Sequence, residues 1–288
     1  MIDLHTHSTA SDGTLTPEEL VDLAAEKGFR AIALTDHDTV GGVSAALERG
    51  IRRGVLVIPG VELGASWHGC GQMHILGYFI HHQPPYLIDR LSWLRERRRE
   101  RAEEMISRLH AISVPISRDR VFQLAGSGSV GRPHVARVLV EAAYVRSISE
   151  AFDRYLKAGA PAFVEKIQLT PREAVRLISR SGGVAILAHP ATLRLSPDRL
   201  EACIELLMNE GLRGIEVYWS KHTEAEISCF EELARRYALL VTGGSDFHGS
   251  NKSSLELGAQ LHGHIDETYL LHALQTAIKV AARRAAAG

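Results

Sequence analysis

Three cysteines in 288 residues, Cys70, Cys203 and Cys229, are too few and too unevenly spaced for a disulfide framework. No CxxC pair occurs, which excludes a zinc ribbon. There is no run of about 18 uncharged apolar residues, so no membrane-spanning helix is expected. The start, Met1-Ile2-Asp3-Leu4-His5, has neither the basic opening nor the apolar stretch of a secretory signal. These absences lead to the expectation of a cytoplasmic protein with reduced thiols and no membrane partner. Excess charge is lacking too. The 33 Lys and Arg stand against 34 Asp and Glu, a formal −1, so a long nucleic-acid duplex is not an expected partner. What is abundant is histidine, with fifteen residues in a chain that has little thiol. That balance points to imidazole chemistry.

Short β-branched apolar runs alternate with helical patterns, the signature of βα units and a parallel sheet. Seven strands are expected at Ile2–His5, Ala31–Thr35, Val55–Gly60, Met73–Phe79, Val184–Ala188, Gly214–Tyr218 and Leu239–Gly243. Thr16-Pro17-Glu18-Glu19 and Thr170-Pro171-Arg172-Glu173 each open a helix with a capping box and a proline at its first position. Ser196-Pro197-Asp198 resembles them. The alternation fails between Pro84 and Lys166, where helical patterns cover Tyr86 to about His110, Pro133–Glu141 and Ser147–Lys157. The expected organisation is a barrel of residues 1–83 and 167–288 with a helical insertion, 84–166, between strands four and five. Charge divides with it. The insertion holds 15 basic against 10 acidic residues, +5, and the rest holds 18 against 24, −6.

Metal-ligand residue types stand at the strand ends. Strand one gives His5-Thr6-His7 and then Asp12. In extended chain, residues two apart share a side, so His5 and His7 can chelate one ion. Strand two ends in Thr35-Asp36-His37-Asp38 and strand three in Gly60-Val61-Glu62. Strand four opens with His74, strand five ends in His189, and strand seven ends in Asp246-Phe247-His248. In parallel barrels the carboxyl ends of the strands form the active face. A single histidine of this kind is more often a surface or capping residue. Two paired sites and four further strand-end ligands are a different matter. Six His, two Asp and one Glu, with no thiolate, suit zinc, manganese, iron or cobalt, and manganese is the expected ion, with iron or zinc next. Nine ligands exceed what one ion takes, so two or three divalent ions are expected, with Glu62 as the bridging carboxylate. Asp36 and Asp38 are expected to orient His37.

These motifs resemble those of the PHP (polymerase and histidinol phosphatase) superfamily. His5-Thr6-His7-Ser8 with Ser11-Asp12-Gly13, then Thr35-Asp36-His37-Asp38, Gly60-Val61-Glu62, His74-Ile75-Leu76-Gly77, Ala188-His189-Pro190 and Gly244-Ser245-Asp246-Phe247-His248, occur in the family's order. The resemblance spans essentially the whole chain. It implies an α/β fold, a distorted seven-stranded (β/α) barrel, and a trinuclear site whose nine positions are all filled. Thr9-Ala10-Ser11-Asp12-Gly13, the insertion, and Arg132-Pro133-His134-Val135-Ala136-Arg137 are similar to the small free-standing members. Those members act on nucleoside 3′,5′-bisphosphates or on short 5′-phosphorylated RNA.

The expected activity is metal-dependent phosphoester hydrolysis by a metal-activated hydroxide, with Asp12, His37, Glu62, Asp246 and His248 at the reacting centre. No GxSxG motif is present to supply a protein nucleophile. Arg98, Arg101 and Glu104 share a helix face, and Arg132 and His134 open a helix whose N-terminus favours an anion. They are expected to grip the non-reacting phosphate, with the insertion as a lid. Glu216 and Tyr218 lie on strand six and His222 follows it, and His222 is a further candidate substrate contact. Two rivals stand beside this reading: a histidinol-phosphate phosphatase with the same site, and a non-catalytic metal-binding module.

Overall fold

The structure is a computed structural model that describes residues 1–66, 72–80, 85–126, 128–252, 255–258, 270 and 276. Cys70, His81, His82, His262, His264, His272 and the expected C-terminal helix end lie outside the described residues. The architecture is α/β. A seven-stranded sheet runs in the order β1-β2-β3-β4-β5-β6-β7. The strands are Ile2–Thr6, Ala31–Leu34, Leu56–Ser66, Gln72–Tyr78, Val184–Leu187, Leu212–Trp219 and Leu240–Gly244. The ends nearly close on one another: His7 N–H donates to Phe247 O at 2.9 Å, and Thr6 bridges Phe247 in parallel.

Side chains alternate across the sheet with a period of two. On β2, Ala31 and Ala33 join Ile2, Leu4, Ile58, Leu76, Tyr78 and Ile186 in one buried cluster. Ile32 and Leu34 point the other way, against Leu20, Val21 and Ala24 of α1, Pro17–Glu26, and Ala46 of α2, Val43–Arg53. Helix α1 starts at Thr16 because its hydroxyl accepts from Glu19 N–H while Glu19 Oε2 accepts from Thr16 N–H.

The expectation of a parallel sheet is corrected at β4. This strand is antiparallel to both β3 and β5. Five residues, 67–71, separate the end of β3 from the start of β4. A parallel crossover needs a dozen residues or more. Strand β3 is also longer than expected and runs on to Ser66, so Glu62 lies within it and not at its end.

Contacts divide the chain into two compact units, Met1–Leu87 with Gln168–Gly288, and Ile88–Ile167. The first unit also holds α7, Pro171–Arg180, α8, Pro197–Glu210, and α9, Glu224–Arg236. The second is helical. It contains most of α3, Pro85–Ala111, with α4, Arg118–Ala125, α5, Arg132–Glu141, and α6, Ile148–Ala151, which passes into a π-turn, Phe152–Leu156. Its own core includes Met105, Leu109, Val121, Val135, Leu139 and Leu156. Helix α4 lies where the periodicity predicts no element. Its signal is Ser117, whose hydroxyl accepts from Arg120 N–H. Among the described residues, no helix is long and apolar enough to cross a membrane.

Candidate metal centre

An unbroken strand would put His5 on the face opposite Ile2 and Leu4. The β1–β2 register shifts between Asp3 and Thr6, where Asp3 pairs with Ile32 but Thr6 pairs with Leu34. That extra residue is a bulge, a device that re-aims side chains. Leu4 therefore stays in the barrel cluster while His5 and His7 meet at the rim, with ring centroids 5.2 Å apart. Gly244 permits this packing. A Cβ there would lie 2.2 Å from His5 Cβ.

Asp3 holds the joint between β1 and β7. Its Oδ1 accepts from Ser245 N–H at 3.0 Å and from His5 N–H at 3.1 Å. Its Oδ2 accepts from Ser245 Oγ at 2.5 Å and from Gly258 N–H at 2.8 Å. Burial pushes the Asp3 carboxyl above its ordinary range, against these hydrogen bonds. Glu216 on β6 settles the next layer. One oxygen meets His5 Nδ1 at 2.9 Å and the other accepts from His189 N–H at 2.8 Å. The contact to Nδ1 leaves His5 Nε2 aimed at the cluster.

Glu62 is the hub of the site and is wholly buried. Its Oε1 lies 2.8 Å from His74 Nδ1 and 3.0 Å from His189 Nε2. Its Oε2 lies 2.9 Å from His37 Nδ1, 3.3 Å from His7 Nε2 and 3.4 Å from His5 Nε2. His74 reaches this hub because β4 runs backwards, which brings its first residues to the rim where its neighbours end. Asp246 Oδ1 stands 3.4 Å from His7 Nε2 and 3.7 Å from His5 Nε2. Asp12 Oδ1 stands 3.2 Å from His248 Nε2, and its Oδ2 stands 4.0 Å from His37 Nε2. His248 Nδ1 is fixed by Asp246 O at 2.8 Å.

All nine expected ligand residues thus come together. They form four overlapping groups whose ligand atoms lie within 4.8 Å of one another. The groups are His7 with Asp12, His37 and His248; His5 with Glu62 and His189; His5 with His7 and Asp246; and His37 with Glu62 and His74. The backbone is strained where it presents them. His189 and Asp246 have φ of 26° and 56°, and Asp38 beside His37 has 51°. Such left-handed backbone in non-glycine residues gathers at functional sites.

The donor set fits divalent cations. Among the described residues, His5 Nε2, both ring nitrogens of His7, and Glu62 Oε2 are buried without a hydrogen-bond partner. Orphaned polar atoms of this kind are costly unless something else binds them. Burial, with help from His248 and His37, lowers His7 to about 4. Burial lowers His74 to about 4 as well, against the pull of Glu62. Both rings are then neutral at pH 7 and offer lone pairs. Burial opposes the charge on Glu62, yet His37, His74 and His5 outweigh it and hold its carboxyl well below the usual range.

Asp36 does not spend its oxygens on His37. They accept from Ser8 N–H at 2.8 Å, Ser8 Oγ at 2.7 Å and Ser11 Oγ at 2.6 Å, which pins the loop carrying Asp12. Asp38 accepts from Gly64 N–H at 3.0 Å and so secures β3 near Glu62. Ser8 and Ser11 stand within the quoted motifs without an assigned role, and Asp3 carries no mark in the sequence as a site residue. The one available signal is a carboxylate two residues ahead of a histidine pair.

The expected substrate residues divide. Within the helical unit, burial and the nearby Arg132 and Arg98 push Arg101 down to about 10. Arg101 Nε donates to Val164 O at 2.8 Å. Arg132 lies over Phe152 with its Cζ 5.3 Å from the ring centroid. Glu104 instead pairs with Arg108 Nε at 2.8 Å. His134 Nδ1 accepts from Gly131 N–H at 3.1 Å and so caps the helix itself. His222 lies in the barrel unit, buried, with Nδ1 donating to Val217 O at 2.7 Å. Its ring packs between Trp219 at 5.2 Å and Phe230 at 4.9 Å, and its Nε2 has no hydrogen-bond partner.

Known proteins are similar to this chain. A 3′,5′-nucleoside bisphosphate phosphatase of Chromobacterium violaceum is 35% identical over 89% of this chain and 90% of its own. The 5′-3′ exoribonuclease Rnm of Escherichia coli is 36% identical over 85% of this chain and 84% of its own. A solved structure from Bifidobacterium adolescentis, assigned by prediction as a metal-dependent phosphoesterase, superposes with a TM-score of 0.85. It is 29% identical over 96% of both chains. The PHP domain model matches residues 3–287, and the chain accordingly belongs to the PHP domain family.

Proposed function

We propose that this chain is a metal-dependent phosphoesterase that hydrolyses phosphate esters of nucleotides, either a nucleoside 3′,5′-bisphosphate or a short 5′-phosphorylated RNA. The observation that carries the reading is the set of four overlapping ligand groups, two of which share the buried carboxylate of Glu62. The names and coverage of the bisphosphate phosphatase and exoribonuclease relatives support the substrate class. His5, His7, Asp12, His37, Glu62, His74, His189, Asp246 and His248 would hold two or three divalent ions, manganese first, with iron or zinc next. Such ions, when bound, activate water and neutralise charge on the phosphoryl oxygens.

The protein's own residues set the rest. Glu216 and Asp3 fix the positions of His5 and of the β7 end. Asp36 fixes the loop that presents Asp12. The side chains of Asp12, His37 and His74 are 29%, 16% and 20% exposed, while those of His5, His7 and Glu62 are fully buried. Substrate therefore approaches on the Asp12, His37 and His74 side. The helical unit is the proposed source of cations for a second phosphate. Burial first, and then the charges of Arg132 and Arg98, depress Arg101, and a bound anion relieves the repulsion among them. The reading also places the chain in the cytoplasm. Its support is the odd cysteine count and the absence of a disulfide at Cys203 and Cys229.

The test is a panel of phosphorylated nucleotides and histidinol phosphate, assayed with manganese and with product identification. Release of phosphate or nucleoside monophosphates from the nucleotide substrates is the expected result. Preferential cleavage of histidinol phosphate would replace the substrate class. Stoichiometric metal uptake with no turnover on any ester would leave a binding module.

A further inference from the structure

We propose that α3 and α4 of the helical insertion carry a stacking surface for single-stranded RNA, centred on Trp93. The proposal rests on the phosphoesterase reading above and specifies the polymer that the chain takes. Trp93 lies in α3 with 38% of its area exposed. The other large exposed apolar side chains among the described residues, Ile51, Leu56, Ile112, Ile148 and Ile167, are all aliphatic. Arg90 and Arg97 flank Trp93 one turn before and one turn after. Their Cζ atoms lie 4.2 Å and 5.9 Å from the indole centroid. The three residues recur at i, i+3 and i+7 and share one helix face. Phe122 of α4 repeats the arrangement, with Arg99 and Arg118 each placing Cζ 4.8 Å from its ring centroid.

Significant cation–π pairs occur about once per 70–80 residues in proteins at large. Here two rings in one short helical unit are each bracketed by two guanidiniums. Single-stranded nucleic acid is held by this combination, with bases on aromatic faces and phosphates on cations. The charge agrees: residues 84–166 hold 15 basic against 10 acidic side chains in a chain whose overall charge is −1. A duplex is excluded as the occupant because its bases are already stacked on one another.

A purely structural reading of the same groups also exists. Arg97 pairs with Glu100, and Arg118 pairs with Glu103 at 2.5 Å. Both pairs are partly exposed, so they are weak and screened by salt. A phosphodiester chain can displace those carboxylates, while an unpaired base takes the indole face. The two readings differ in what removal of the indole does to long and short substrates.

The test uses a labelled, 5′-phosphorylated RNA of about ten nucleotides. It is titrated onto the Asp246→Asn protein carrying Trp93, Trp93→Ala or Trp93→Phe. In parallel, the chain with Asp246 intact is assayed on the same RNA and on adenosine 3′,5′-bisphosphate. Trp93→Ala is expected to weaken RNA binding about tenfold and to raise KM for RNA by a similar factor, the scale of one lost stacked base. KM for the bisphosphate should stay within about twofold, and Trp93→Phe should keep most of the RNA affinity. Unchanged RNA binding in Trp93→Ala would overturn the proposal, as would an equal loss on both substrates. Absence of turnover in the unmutated chain would overturn the phosphoesterase reading instead, and the titration would still decide the stacking surface.

Discussion

The barrel and the helical insertion use charge in opposite ways. The barrel part, at −6, gathers six of its histidines and three of its acids into one cluster where several buried polar atoms lack hydrogen-bond partners among the described residues. The insertion, at +5, spreads its arginines over surface ion pairs such as Arg120 with Glu141 and Arg154 with Glu150. Exposed pairs of that kind contribute about 0–1 kcal/mol each. Buried groups left unmatched cost several times more. A chain keeps such groups where a ligand completes them. The lesson is that nine residues in the barrel are organised around something absent from the polypeptide, while most insertion charges are satisfied within it. Arg101 is the exception, since its nearest charged neighbours are other arginines.

That contrast can be broken experimentally. The largest expected effect is at the cluster. Asp246→Asn or His248→Ala should lower kcat by about 10³-fold or more, through loss of several kcal/mol of metal-centred stabilisation. Circular dichroism should show the fold intact. Activity near the unmutated level would remove these residues from the site. Next comes Glu216→Gln, which weakens the hold on His5. It should reduce metal affinity about 10–100-fold, read by calorimetric titration with manganese. Unaltered affinity would reduce Glu216 to a packing role.

A smaller effect is expected in the insertion. Arg101→Ala or Arg132→Ala should raise KM about tenfold for a 3′,5′-bisphosphate, the scale of a charge-assisted hydrogen bond, and much less for a monophosphate. Equal changes for both substrates would erase the proposed division between reacting and gripping units.

The smallest effect concerns acid stability of the metal-free chain. His7 and His74 sit at about 4 when folded and start from 6.5, so the unfolded chain binds more protons between those values. Their contribution is present above pH 6.5 and is lost as pH falls toward 4. His5 is shifted upward, because Glu216 and Glu62 outweigh its burial, and it opposes the trend. The melting temperature should drop from pH 7 to pH 4.5, and it should drop less in His74→Gln. Equal slopes would remove His74 from the account.

Much of this was legible in the sequence. All seven strands are visible as apolar runs, because strands covered on both faces must be apolar throughout. Thr16 and Thr170 mark their helices because a hydroxyl and a glutamate three residues on form a local device. Thr223 with Glu226 opens α9 in the same way. The ligand types at the strand ends are legible for a similar reason: a barrel collects its chemistry at one rim, so short motifs recur at strand spacing.

The sequence by itself determined the seven strands, most of the helices, the nine ligand types and the charge division, all of which depend on local pattern and side-chain chemistry. Tertiary structure decided what depends on pairing between distant strands. It turned β4 antiparallel and thereby delivered His74 to Glu62. It set a bulge in β1 that points His5 and His7 inward, a choice of register that no local propensity encodes. It gave Asp3 to Ser245, 242 residues away, and Glu216 to His5, 211 residues away. Such contacts are invisible along the chain because their partners meet only once the sheet has curled and its first and last strands stand side by side.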